Sequence, residues 1–195
     1  KCMEWVKDRA GLPEMDYNQM MEYIQNTPAG SNGVVFSPWM HGNRCPFEDP
    51  NARGVFFNLG LNTHGSDLVK SVIEGVCLHM RWMLVETEKV FPTSSVIRFS
   101  GGSAISPGIC QVLADVLGRE VEVIENPRLV GTIGAAGLMA VSFGLISDIK
   151  DIKKIIGIMA RYKPNPENTK IYDKLFPIFQ NLYRDNKKSF AALNG

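Results

Sequence analysis

Two glycine-rich turns, two arginines and a scatter of histidines and cysteines are the residues of this chain whose types and spacing can do chemistry. Ser100-Gly101-Gly102-Ser103 stands between an apolar run, Ser95–Phe99, and a helical pattern that starts at Pro107. Glycines in such a turn let a ligand lie against the backbone, and the amides at a helix start favour a phosphate or another polar group. The other option is a tight connection that simply needs glycine. The turn is neither a G-x-x-x-x-G-K-[ST] loop nor a dinucleotide G-x-G-x-x-G. Gly131-Thr132-Ile133-Gly134-Ala135-Ala136-Gly137 is the second cluster. It reads first as tight packing of a helix against a sheet, and second as a surface for a nucleotide. Gly131, Gly134 and Gly137 share one helix face, and each costs roughly 0.5–1 kcal/mol relative to Ala in a helix interior, so close contact is the expected reason.

Arg44 and Arg53 lie in a long irregular stretch with Gly42, Asn43, Cys45, Pro46, Asp49, Pro50 and Gly54. The first reading is an Arg–Asp lattice in which Asp49 pairs with one arginine and stiffens the loop. The second is forked hydrogen bonding to a phosphate or carboxylate. His41, His64 and His79 are far apart without metal spacing, and each reads as a surface or satisfied histidine. Cys2, Cys45, Cys77 and Cys110 form no C-x-x-C pair, so reduced thiols in a cytoplasmic protein are expected. No Ser-His-Asp or Cys-His pattern stands out.

The elements that must position these residues alternate. Residues 3–9 read as a helix stopping at Gly11-Leu12-Pro13, and residues 17–25 as a second, amphipathic one. Val34–Phe36 and Val55–Phe57 read as short strands. A helix is predicted over 66–89, from the apolar steps Leu68, Val69, Val72, Ile73, Val76, Met80, Met83 and Leu84, with Ser66 able to cap it. Ser95–Phe99, the glycine turn, a helix over 107–117 ended by Gly118, and Val121–Ile124 form a strand–turn–helix–strand unit, which implies a parallel pair. Helices are expected over 132–143, 148–160 and 165–187, the last with Asn165 as N-cap and Pro166 at its first position. The order points to an α/β layered domain.

The whole is 195 residues with 45% hydrophobic and 21% charged residues, which excludes a disordered chain. Twenty-one Lys and Arg against 20 Asp and Glu leave a net charge of +1. No global field exists to hold nucleic acid or an anionic membrane, and no apolar run is long enough to span a bilayer. The opening Lys1-Cys2-Met3-Glu4-Trp5 reads as the middle of a helix, so a fragment of something longer is expected.

These motifs together resemble the C-terminal half of the FGGY carbohydrate kinases, nearest their xylulokinase-like branch. Residues 38–54 resemble the family's P-x-x-x-G-E-R-x-P-x-x-D-P-x-A-R-G loop. Gly54–Phe57 with Leu68–Gly75 resembles its second signature, and Phe99–Ala104 its adenosine motif. Gly131–Ala136 is similar to the helix that connects the two domains in the actin–hexokinase–Hsp70 superfamily, and Trp5 matches a tryptophan on the first helix. Asn43 stands where the family usually has Glu, and Asn58 where it usually has Gly.

The resemblance implies an actin-like ATPase (ribonuclease H-like) domain, α/β with a mixed sheet flanked by helices, over residues 1–195. It implies ATP and Mg²⁺, with transfer of the γ-phosphoryl group to a ketose such as xylulose. Gly101, Gly102, Ser103, Ser106, Gly134 and Glu4 would hold or support the nucleotide. The catalytic Asp and most sugar contacts would belong to an N-terminal domain not in this chain, so the chain alone is expected to be inactive. Neither nucleic acid nor membrane is an expected partner, and a homodimer stays open. Alternatives are a kinase for gluconate, ribulose or glycerol, a non-catalytic actin-like module, and an NADH-binding oxidoreductase half.

Overall fold

The computed structural model describes residues 1–9 and 15–195. The expected helix stop at Gly11-Leu12-Pro13 lies outside them. Helix α1 spans Cys2–Arg9. Helix α2 spans Tyr17–Asn26, and a reciprocal cap between Asp16 and Gln19 starts it. Each of the two residues satisfies an amide of the other, so two orphan donors are paired at once. Strands β1 (Val35–Ser37) and β2 (Val55–Phe57) pair antiparallel, Phe36 opposite Phe56.

Helix α3, Gly65–Glu88, is the spine. Its apolar stripe buries Val69, Val72, Ile73, Cys77 and Leu78 against α1, α2 and β1. The cap differs from expectation. His64 is the N-cap residue and its amide donates to Asp67 Oδ2 at 2.9 Å, which leaves Ser66 inside the first turn. Gly75 faces β1 so closely that a Cβ there would sit 2.1 Å from the Phe36 carbonyl oxygen.

Strand β3 (Val96–Phe99), helix α4 (Pro107–Leu117) and strand β4 (Glu120–Ile124) form the predicted unit, with β3 and β4 parallel and Gly118 ending α4 in the left-handed region. Beyond it the expectation fails in one place. Helix α5 spans Val130–Ser142, but the helix predicted over 148–160 shrinks to a short α6, Ile152–Ile155, followed by strand β5, Ile158–Tyr162. β5 pairs antiparallel with β4, and its half-buried Ile158, Ala160 and Tyr162 alternate with exposed Met159 and Arg161. The period of two was present after Gly157. The apolar residues at 152, 155 and 156 masked it by extending a helical spacing. Helix α7 runs Pro166–Asn194, longer than predicted at its end, with Asn165 Oδ1 accepting from the Glu167 amide as N-cap.

Candidate functional site

The turn after β3 is built on glycine for a conformational reason. Gly101 has φ +97, and its amide donates to the Pro127 carbonyl at 2.8 Å. That bond ties the turn after β3 to the turn after β4, both at the carboxyl ends of parallel strands, where α/β folds hold ligands. A Cβ built at Gly101 or Gly102 would meet nothing within 4 Å, so the backbone here is bare and approachable. The chain then makes a short 3₁₀ turn, Gly102–Ile105, into α4.

Ser106 caps α4. Its Oγ accepts from the Ile109 amide at 3.4 Å, and the hydroxyl lies 3.0 Å from Met21 Sδ. It is buried, so its hydroxyl already has a structural task. A cavity of about 820 Å³ opens beside this turn, and Glu4, Gly102, Ser103 and Ser106 are among its lining residues. Gly101 and Gly134 are not among its lining residues. Sequence reasoning missed Lys7 and Arg128, which add positive charge to the same cavity. Arg128 follows Pro127, so the turn bond to Gly101 was the signal, and no local spacing announces it. Met20, Met21 and Ile73 give the cavity an apolar wall, suited to a flat ring.

The second glycine cluster departs from its first reading. A Cβ at Gly131 or Gly134 would meet nothing within 4 Å, so that part of the α5 face packs on nothing among the described residues. Only Gly137 is crowded, with Ile152 Cδ1 1.9 Å from its would-be Cβ. The Arg–Asp lattice is also overturned. Asp49 Oδ1 accepts from the Asn51 amide at 2.9 Å and Oδ2 from the Tyr183 hydroxyl at 3.1 Å. Arg53 Nη1 donates instead to the Pro50 and Ala52 carbonyls. Both family departures have structural accounts. Asn43 Nδ2 donates to the Cys45 and Phe47 carbonyls while its backbone pairs with Asp49, so it closes the loop from within. Asn58 has φ +66, the left-handed region that glycine fills elsewhere and that Asn tolerates best among the rest.

Besides Asp67 at the start of α3, two more buried carboxylates went unnoticed in the sequence. Glu74 accepts from the Gly30 amide, the Ser31 hydroxyl and the Tyr172 hydroxyl, at 2.7–2.8 Å. Burial pushes its carboxyl up from the ordinary range, against the pull of those three bonds and of Lys70. Asp115 accepts from the Asn165 amide and from the side chains of Gln111 and Asn168, and so pins α4 to α7. Both are buried inside helix packing, at 2% and 3% exposure, and serve the scaffold. Burial also raises the thiols of Cys77 and Cys110, the latter to about 11, so neither is a ready nucleophile. Among the described residues no cluster of three His, Cys, Asp or Glu could hold a metal, and no helix is long and apolar enough to cross a membrane.

A gluconokinase of Bacillus licheniformis is 28% identical over 98% of this chain and 39% of its own length. A xylulose kinase of Bacillus subtilis is 23% identical over 98% of this chain and 38% of its own. The chain therefore spans about two fifths of the length of these relatives. The crystal structure of a ligand-bound xylulose kinase from Lactobacillus acidophilus superposes with a TM-score of 0.91, at 24% identity, over 98% of this chain and 39% of that one. The fold is thus that of the sugar kinases, actin-like, with a mixed sheet flanked by helices. The family profile for the C-terminal domain of these kinases matches residues 1–143, and with it the chain belongs to the FGGY family of carbohydrate kinases.

Proposed function

We propose that this chain is the ATP-holding, C-terminal half of a cytoplasmic sugar kinase. The complete enzyme would transfer the γ-phosphoryl group of ATP to a hydroxyl of a ketose such as xylulose. A preceding N-terminal half would supply the sugar pocket and the Asp that takes the hydroxyl proton. The observation that carries this reading is the 820 Å³ cavity, lined by the bare backbone of Gly102, by Glu4 and by an apolar wall.

The residues present fit a nucleotide. Gly101 and Gly102 leave room for the adenosine against the main chain, and Met20, Met21 and Ile73 give its ring an apolar seat. Lys7 and Arg128 offset phosphate charge, and Ser103 offers a hydroxyl. When bound, MgATP would supply the phosphoryl group and a divalent charge that offsets the phosphates. Mg²⁺ would arrive on those phosphates. The chain's own contribution is positioning and exclusion of water when the two halves close. A second substrate class has a specific observation behind it. The gluconokinase relative is more similar than the xylulose kinase one, so gluconate stands beside xylulose.

Two measurements test the reading. Titration of the 195-residue chain with ATP and with NADH should give saturable binding to ATP alone. The chain by itself should release no ADP on addition of xylulose or gluconate, while the complete enzyme does so with one of them. Binding of NADH without ATP, or sugar-dependent ADP release by the chain alone, overturns it.

A further inference from the structure

The loop of residues 38–54 holds a second cavity, of about 570 Å³, on residues that the nucleotide cavity does not use. His41, Arg44, Glu48 and Arg53 are its ionisable lining groups. The sequence suggests that Asp49 neutralises one of these arginines. In the fold Asp49 is buried and turned inward, onto Asn51 and Tyr183, and neither arginine forms an ion pair among the described residues. Two arginines and one carboxylate, that of Glu48, therefore line one concave surface.

Arg53 is further arranged for an oxyanion. Both protons of Nη1 are spent on the carbonyls of Pro50 and Ala52, at 2.8 and 2.9 Å. Those two bonds hold the guanidinium plane and leave the Nε–Nη2 edge, whose parallel N–H groups match two oxygens of a phosphate or carboxylate. The wall is stiff as well. Gly42 has φ +71, and a Cβ there would press on the backbone of Asp49 and Pro50 at 2.9–3.0 Å. Asn43 and Asp49 exchange backbone hydrogen bonds at 2.9 Å in both directions. A donor already fixed, as Arg53 is, loses little entropy on binding.

We propose that this cavity binds the phosphate group of a small phosphorylated polyol, apart from the nucleotide turn. The arginines take the phosphate, and His41 and Glu48 are left for hydroxyls. A carboxylate would use the same fork, but a phosphate has a third oxygen and can engage both arginines at once, so it is the better match.

The test is an amide NMR titration of the 195-residue chain with inorganic phosphate, then with glycerol 3-phosphate, and with acetate as the third arm. Saturable shifts at Gly42, Asn43 and Arg44 are expected from the two phosphates and not from acetate. Arg44→Gln should weaken them about tenfold, the loss expected for one charge-assisted contact, with an unchanged melting temperature. Arg53→Lys keeps the charge but loses the fork, and should weaken binding too. Unaltered affinity in both variants, shifts confined to residues 101–106, or acetate binding as well as phosphate would each overturn the proposal.

Discussion

The amide of Gly101 donates to the carbonyl of Pro127 over 2.8 Å, and this one bond couples the turn after β3 to the turn that opens α5. The bare backbone of Gly102 and the side chain of Arg128 are thereby held on one cavity.

Gly102→Val should raise the ATP KM of the complete kinase about tenfold or more and leave the sugar KM nearly unchanged. A Cβ at this residue projects into open space, so the added side chain fills ligand volume and not protein volume. The kinetics separate the two substrates, and a change in sugar KM alone would reassign the turn.

Gly134 and Gly75 should respond with opposite signs. Gly134→Ala adds a methyl to open space and restores helix propensity, so the chain should gain roughly 0.5–1 kcal/mol. Gly75→Ala drives a Cβ toward the Phe36 carbonyl, a backbone atom that cannot swing away, and should cost about 1–3 kcal/mol or more. Urea melts at unchanged slope give both values.

Asn58→Ala should destabilise the chain by about 1–2 kcal/mol, because Ala pays for the left-handed backbone that Asn tolerates. Asn58→Gly should cost less. It loses the bond from Asn58 Nδ2 to the Gly33 carbonyl, 3.1 Å, but no strain is added. Equal midpoints for the two variants would show that backbone conformation is not what selects this residue.

Acid should weaken the fold through His79. Burial holds its imidazole below the ordinary value, against a bond with the Cys45 backbone, and Nδ1 lies 3.3 Å from the Trp39 indole N–H that donates to it. The unfolded chain takes up the proton first as pH falls below about 6.5, so it binds more protons than the folded chain. Stability is therefore full above that value and is lost as pH falls through the lowered folded one. Urea midpoints between neutral pH and pH ~5 should fall, and His79→Gln should flatten the slope.

Much of the scaffold was legible because its signals are local. The stripe from Leu68 to Leu84, Gly118 after α4 and Pro166 after Asn165 each state their element within one or two turns. The glycine turn at 100–103 was legible for the same reason. What escaped is long-range. β5 exists because β4 offers an edge, and Arg128 joins the cavity only through the Gly101–Pro127 bond. Glu74 and Asp115 look like surface charges in the sequence, and their partners sit 43–98 and 4–53 residues away. The glycine face of α5 shows the reverse error. Its i, i+3 spacing is a local pattern, yet at Gly131 and Gly134 no neighbour answers it.

Helix α7 clasps α3 through Tyr172 and Glu74, and the loop around Asp49 through Tyr183 to Asp49 and Asn194 to the Asn51 carbonyl. Its 29 residues make a rod about 43 Å long. The loop around Asp49 therefore waits on residues 134 and 143 positions downstream for its final shape. During synthesis the strand–helix–strand unit can form early from neighbours in the chain, while the arginine-bearing loop stays unclasped until the end of α7 has been made. Contacts of such sequence separation are slow to close, so a C-terminal truncation that removes the end of α7 should loosen this loop.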